Sequence, residues 1–392
     1  PPYPAPGQES TPELITPPPS CIFTVSEPIK EQLVIPIENY QFSEPKIIFT
    51  SDSSVGIAGW LFDSERVLLT RSLSNGFESI ETYNYLTRET VVYAERAGGF
   101  GKPIWGTGLE AVAYASFVQD HEELWLSYGD SLNSEMLYSD ITGFSLNGAD
   151  GKLIYFSPSL GDQPMVWDST NKGFQTTGIS FMNRVYSKFG VDNQLFKPSP
   201  GRVFSIALQP NLKRAAFFGY ALLYLANLET GEICEIDLGS SNDFPHWALN
   251  AQWSSDGRFL AMVIGTGFPG ALQPVNRILI LDTFTGEKFT PELPVPYVYD
   301  FVWEPEHPVL IALGNVGITN GRVEMGLFLI GVNERSYKHI LPEQIFGGGD
   351  MGKLAWDQDK IAVDCTSWPD SVNELAEGRV CLIEVIKKPI DS

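Results

Sequence analysis

The sequence lacks any apolar run long enough to cross a bilayer as a helix. Its longest, Ala215 to Ala226, is 12 residues and contains Gly219, against the roughly 18–20 a transmembrane helix needs. Basic residues are scarce: 26 Lys and Arg face 48 Asp and Glu, for a net charge of −22. A surface this negative repels phosphate backbones and anionic membranes, so nucleic acid is excluded as a partner and the acidity reads as solubilising. Cysteine is limited to positions 21, 234, 365 and 381, and none falls in a CxxC or CxxCH pattern. That removes zinc-ribbon, thioredoxin-type and c-type haem chemistry. Histidine is equally sparse, with His121, His246, His307 and His339 the four in the chain.

Glycine (36) and proline (28) are plentiful, hydrophobic residues make up 43% and charged residues 19%. This balance favours many short strands separated by turns, and hence an all-β fold. Pro1 to Ser20 has neither the basic start nor the apolar core of a signal peptide. It reads as a Pro/Ser/Thr-rich tether of an exported protein, with residues 1–45 forming an extended arm and a lipid-bearing cysteine expected upstream of Pro1.

The strongest local signal is Asn250 to Val263, NAQWSSDGRFLAMV, followed from Arg277 by RILILDTFTGEKF. One strand ends at Trp253, the polar turn Ser254 to Gly257 reverses the chain, and Arg258 to Val263 returns. Arg277 to Asp282 is a third strand, and Thr285-Gly286 turns into a fourth. Four antiparallel strands in a meander make one propeller blade. The same grammar recurs with anchors at Trp60, Trp105, Phe144, Leu208, Trp253, Trp303 and Trp356, spaced 45, 39, 64, 45, 50 and 53 residues apart. Such periods fit one blade per repeat and seven four-stranded blades in all. The anchors serve to fill the wedge between neighbouring blades.

The W-S-x-D-G-R-x-L-A core at Trp253 to Ala261, echoed at Asp150-Gly151-Lys152 and Trp356, resembles the WD40-like repeats of TolB-type propellers. The resemblance covers most of residues 47–388 and implies a fold rather than a chemistry, since such propellers occur as adaptors and as enzyme domains. Elsewhere Glu65-Arg66, Asn211 and Glu304 to His307 replace the Asp-Gly turn. Ring closure needs a partner for the last blade's outer edge, and Lys46 to Thr50 (KIIFT) is the spare strand for it. Residues 46–392 are therefore read as one propeller.

No catalytic motif emerges. Gly265 to Gly270 (GTGFPG) matches GxGxxG, but Pro269, Pro274 and the strand from Arg277 leave no room for the helix a dinucleotide site requires. A GxSxG pentapeptide is missing. His307 and His121 read as solvated loop residues. No cofactor is expected; calcium is the one metal left open, since Asp and Glu recur in turns at Asp120 to Glu123, Asp357 and Asp359, though without EF-hand spacing.

Two regions are candidate interfaces. The 64-residue spacing hides an insertion at about 177–201, carrying Arg184, Tyr186, Lys188, Phe189, Phe196 and Lys197, a concentration of basic and aromatic residues of the kind that supplies hot spots. Long connections between second and third strands, Ser72 to Ser79, Ile264 to Asn276, Gly314 to Arg322 and Thr366 to Gly378, emerge on one rim and bear Phe77, Phe268 and Trp368. Cys365 and Cys381, on facing strands of the last blade, are expected to form a disulfide. Cys21 and Cys234 are the remaining pair. The functional expectation is a non-catalytic, extracytoplasmic interaction propeller, serving another protein of a cell-envelope or surface assembly. The alternative is a propeller enzyme, or a glycan- or solute-binding protein, that uses its central funnel or long-loop face.

Overall fold

A computed structural model of the chain describes residues 35–388 apart from internal segments, the longest being 186–203, 267–274 and 367–376. Every sheet is built from antiparallel neighbours, and all but one follow meander order. Six sheets have four strands each. Blade 1 spans Val55–Trp60 to Thr90–Ala97, blade 2 Ile104–Gly106 to Ser134–Ser139, blade 3 Gly143–Asn147 to Gly173–Thr176, and blade 4 Phe204–Leu208 to Ile233–Ile236. Blade 5 runs from Trp247–Trp253 to Lys288–Phe289 and blade 6 from Val298–Trp303 to Ser336–Ile340. Their first strands lie innermost, each beside that of the next blade.

The expectation of seven four-stranded blades needs correction, because only six sheets have that form. Of the two other sheets among the described residues, one is the short pair Ser240–Ser241 and Phe244–Pro245, and one has five strands: Leu354–Asp357, Lys360–Asp364 and Gly378–Lys387 from the C-terminal end, and Tyr40–Phe42 and Lys46–Ser51 from the N-terminal end. Both N-terminal strands pair with the same long strand, Tyr40 opposite Lys387 and Lys46 opposite Leu382. Leu354–Asp357 lies against the first strands of both blade 6 and blade 1, so this composite sheet sits where the ring meets itself. Residues 35–42, placed in the arm by the sequence reading, are packed: Ile35, Ile37 and Tyr40 are buried in the cluster between blade 6 and the composite sheet. Tyr40 stands edge-on to Trp356.

Five of the seven anchors share one register, which Trp356, facing Ile361 five residues on, does not keep. Trp60, Trp105, Leu208, Trp253 and Trp303 face Val67, Val112, Ala215, Leu260 and Leu310, always seven residues on. Blade 3 follows the rule with Leu146 opposite Leu153, not with Phe144, which faces Tyr155. The tryptophans do more than fill a wedge. Trp253 Nε1 donates to Ala207 O at 3.0 Å and Trp303 Nε1 to Gln252 O at 2.9 Å, each the residue before the anchor of the preceding blade. A buried indole needs a partner for its N–H; Trp253 and Trp303 find one on the neighbouring sheet, whereas the buried Nε1 of Trp105 has none among the described residues.

The first turn after the anchor is fixed by side chains. In blade 5, Ser254 Oγ donates to Asp256 Oδ1 at 2.5 Å and accepts from Phe259 N at 2.9 Å, while Gly257 adopts φ +70°. Arg258 then pairs with Asp282 at 2.7 Å. Burial works to raise the Asp282 carboxyl, but the Arg258 guanidinium and the N–H groups of Phe284 and Thr285 outweigh it and hold it below the usual carboxylate range.

Candidate functional site

In each blade the innermost strand starts on the face where the second strand ends, as Val55 opposite Arg71 and Val298 opposite Gly314 show. The axial opening on that face and the second-to-third-strand connections therefore share one surface. At its centre lies Asp300, wholly buried in the innermost strand of blade 6. Asp300 Oδ2 accepts from Lys353 N at 2.8 Å and Leu354 N at 3.3 Å, and Oδ1 accepts from Asn250 Nδ2 at 3.3 Å. Lys102 Nζ lies 3.4 Å from Oδ2. Lys102 enters blade 2, which blade 1 and the composite sheet separate from blade 6 on one side and blades 3 to 5 on the other. The ion pair therefore spans the axial opening. Lys353 Nζ continues the network to Asp364 Oδ2 at 2.8 Å and Val55 O at 3.0 Å.

Two ammonium groups thus meet two carboxylates. Lys353 and Asp364 are almost fully buried, whereas Lys102 keeps a third of its side chain exposed. Buried ions persist only when paired and hydrogen-bonded, and each charge here is used to join blades 5, 6, 1 and 2 to the composite sheet. Tyr299 precedes Asp300 on this strand and Tyr297 lies just before the strand begins, with their ring centroids 6.3 Å apart. Burial first, and then Tyr297, pushes the Tyr299 hydroxyl up.

The rim around this opening differs from the four loops expected. Ser72 and Phe77 belong to strands, and only a tight turn lies between them, closed by Leu73 N to Phe77 O at 2.8 Å. Phe77 is 42% exposed beside it. Within Gly314 to Arg322 the second strand runs on to Thr319 and pairs with Arg322–Gly331 as a two-stranded ribbon, in which Ile318 faces Val323 and Thr319 faces Arg322. Its β-branched residues and Asn320-Gly321 are strand and hairpin signals. The ribbon outruns the innermost strand, whose last pairing is Val298 with Gly314. At its outer part Val316 and Ile318 are 39% and 67% exposed. Asn315 Oδ1 accepts from Gly317 N at 2.9 Å, and the register shifts between them, a bulge that blunts the open edge.

Arg184 lies within a single helical turn, 183–185, and donates to Gly231 O at 2.5 Å. Its neighbours Phe181 and Val185 are fully buried against Phe217 and Tyr224 of blade 4. Tyr186, Lys188, Phe189, Phe196, Lys197, Phe268 and Trp368 lie outside the described residues, as does Cys21. Cys234 is a free, half-buried thiol on the outer strand of blade 4. Cys365 and Cys381 form a disulfide with Cα atoms 5.8 Å apart. The two do not face each other directly: Cys381 is opposite Val363 and Cys365 N donates to Arg379 O, so the bridge runs diagonally. His121 opens a strand opposite Val118 rather than lying in a loop. His307, with 12% of its side chain exposed, is held by Glu304 rather than solvated.

No family model matches the chain, and no curated protein does. Among solved structures, TolB from Acinetobacter baumannii aligns at 14% identity and a TM-score of 0.44 over 73% of this chain and 65% of that one. The tricorn protease aligns at 13% and 0.46 over 78% and 32%. The aligned region thus spans less than two thirds of either protein. Oligogalacturonate lyase from Vibrio parahaemolyticus aligns at 12% identity with a TM-score of 0.51, over 88% of this chain and 97% of that one. The fold is a β-propeller. The likeness extends to architecture, and at these identities to nothing finer.

Proposed function

We propose that this propeller is a non-catalytic interaction module of an extracytoplasmic assembly, and that it presents the face bearing the blade 6 ribbon to another protein. The observation that carries this reading is the ribbon itself. A bulged hairpin built from long strands holds Val316 and Ile318 out into solvent beyond the rim, on a scaffold that positions them rigidly. Apolar side chains displayed in this way favour contact with a partner. The axial charges support the same reading, because Asp300, Lys353 and Asp364 are committed to holding blades together. A disulfide fits an oxidising compartment.

The test is quantitative affinity capture from a native extract with the full chain and with V316D/I318D, both checked for equal melting temperature. Partners that the double variant loses selectively support the proposal, and an unchanged set of partners contradicts it. The alternative, a ligand held in the central funnel, draws on Lys102, a third of whose side chain is exposed. On that reading K102M weakens a small-molecule or glycan ligand and V316D/I318D leaves it unchanged.

A further inference from the structure

Blade 6 departs from the repeat at its first turn. Glu304 takes the place that Ser254 holds in blade 5, each N–H donating to the carbonyl five residues on, of Val309 and Phe259 respectively. The Glu304 side chain is wholly buried. Its Oε2 accepts from Glu306 N at 2.6 Å and from His307 N, and lies 3.0 Å from His307 Nδ1. Its Oε1 meets Lys387 Nζ, which also reaches Glu306 Oε2 at 3.1 Å. One oxygen from each carboxylate and one imidazole nitrogen lie within 4.8 Å of one another.

A second, independent feature stands beside this cluster. Tyr40 pairs with Lys387 across the composite sheet, is wholly buried, and has a hydroxyl with no hydrogen-bond partner. Burial, followed by the charges of Glu304, Glu306 and Glu334, pushes that hydroxyl far up. Glu334 accepts from Ile37 N at 3.3 Å. Three carboxylates thus act on a buried phenol, with Lys387 the one ammonium bonded to the cluster. A buried O–H without a hydrogen-bond partner is costly, and a bound cation carrying a water would supply one.

We propose that Glu304, Glu306 and His307 form a zinc-binding site at the junction of blade 6 with the chain's two ends. Two carboxylates and an imidazole suit Zn2+, whose three-ligand sites keep a fourth position for water, and the Tyr40 hydroxyl would take that water as its partner. Lys387 Nζ holds the carboxylates when zinc is absent. Its side chain is 18% exposed and has a route to solvent, so zinc binds by displacing it and competes with a tethered cation.

The test is isothermal titration of the EDTA-dialysed full chain with Zn2+, with thermal melting in parallel. The wild type is expected to bind one equivalent saturably and to melt higher with zinc. E306Q/H307Q, which spares the buried Glu304, is expected to lose both effects, and K387M is expected to bind zinc more tightly than the wild type and to gain more in melting temperature. Absence of saturable binding in the wild type would overturn the site, as would binding that persists unchanged in E306Q/H307Q. If K387M does not fold, K387R decides: its bidentate hold on the carboxylates should weaken zinc binding, and unchanged affinity would contradict displacement.

Discussion

Trp60 donates its indole N–H to the carbonyl of Ala355 at 3.2 Å, joining blade 1 to the composite sheet across the junction where the ring meets itself. Trp356 has no equivalent bond to blade 6; its Nε1 donates to Gln358 O at 3.2 Å, within its own turn. W60F therefore removes an inter-sheet bond and leaves a carbonyl unpaired, a loss of about 1–3 kcal/mol. W356F breaks a local bond and should cost less. Denaturant melts of the two variants test the ranking, and equal losses would contradict it.

The strand that the N-terminal one covers has a tight point at Gly378. A Cβ there would run into the backbone carbonyl of Ser53, an atom that cannot step aside. G378A is expected to destabilise the chain strongly. G317A is the control, since its Cβ would meet only the carboxylate end of Glu324 at 3.1 Å. Thermal melts should show a large drop for the first variant and a small one for the second.

Acid should weaken the fold in two stages. His339 is stacked on Phe328 at 4.6 Å, and burial holds its pKa below the ordinary 6.5. A folded pKa below the unfolded one gives stability that is present above the unfolded value and is lost as pH falls through the folded one. His339 thus contributes a loss beginning below about pH 6.5. Asp282, also depressed, contributes a second below the ordinary carboxylate range. H339Q should flatten the first stage and R258Q the second in melts run from pH 7 to pH 3.

The Cys365–Cys381 bridge closes a loop with a sequence separation of 16 at the base of the last long connection. A loop of this length corresponds to about 3 kcal/mol of chain entropy in the unfolded state. C365S/C381S should lose stability of that order, measured by denaturant titration without reductant. An unchanged midpoint would contradict the estimate.

What the sequence disclosed was whatever the repeat repeats. Trp253 to Ala261 announces a strand, a turn and a strand because Ser254, Asp256 and Gly257 are local chemistry, and the anchors at 60, 105, 208, 253 and 303 keep one register. Phe144 misled because an aromatic side chain was given more weight than the seven-residue spacing, which selects Leu146. The alternation over Gly314 to Arg322 and its Asn-Gly pair are hairpin signals that a loop reading overlooks, and the flanking strands pair accordingly. The axial network was not legible, since Lys102, Asn250, Asp300 and Lys353 are far apart in sequence and meet only when the ring is complete. Glu304 showed as a departure from the Asp-Gly turn, yet nothing local revealed that Lys387 and Tyr40 would arrive beside it.

The account depends most on a ring held shut by its own N-terminal strand, because a face can present the ribbon only on a closed scaffold. Lys46–Ser51 covers the edge of Gly378–Lys387 from Gly378 to Leu382, and Ile37 and Tyr40 fill the core beside it. The direct measurement is the melting temperature of chains beginning at residue 21 and at residue 52, compared with the full chain. The shorter deletion should melt with the full chain. The longer one should melt far lower or aggregate, since it bares a full strand edge and empties a buried cluster. Matching melts for the full chain and the chain beginning at residue 52 would contradict closure by this strand.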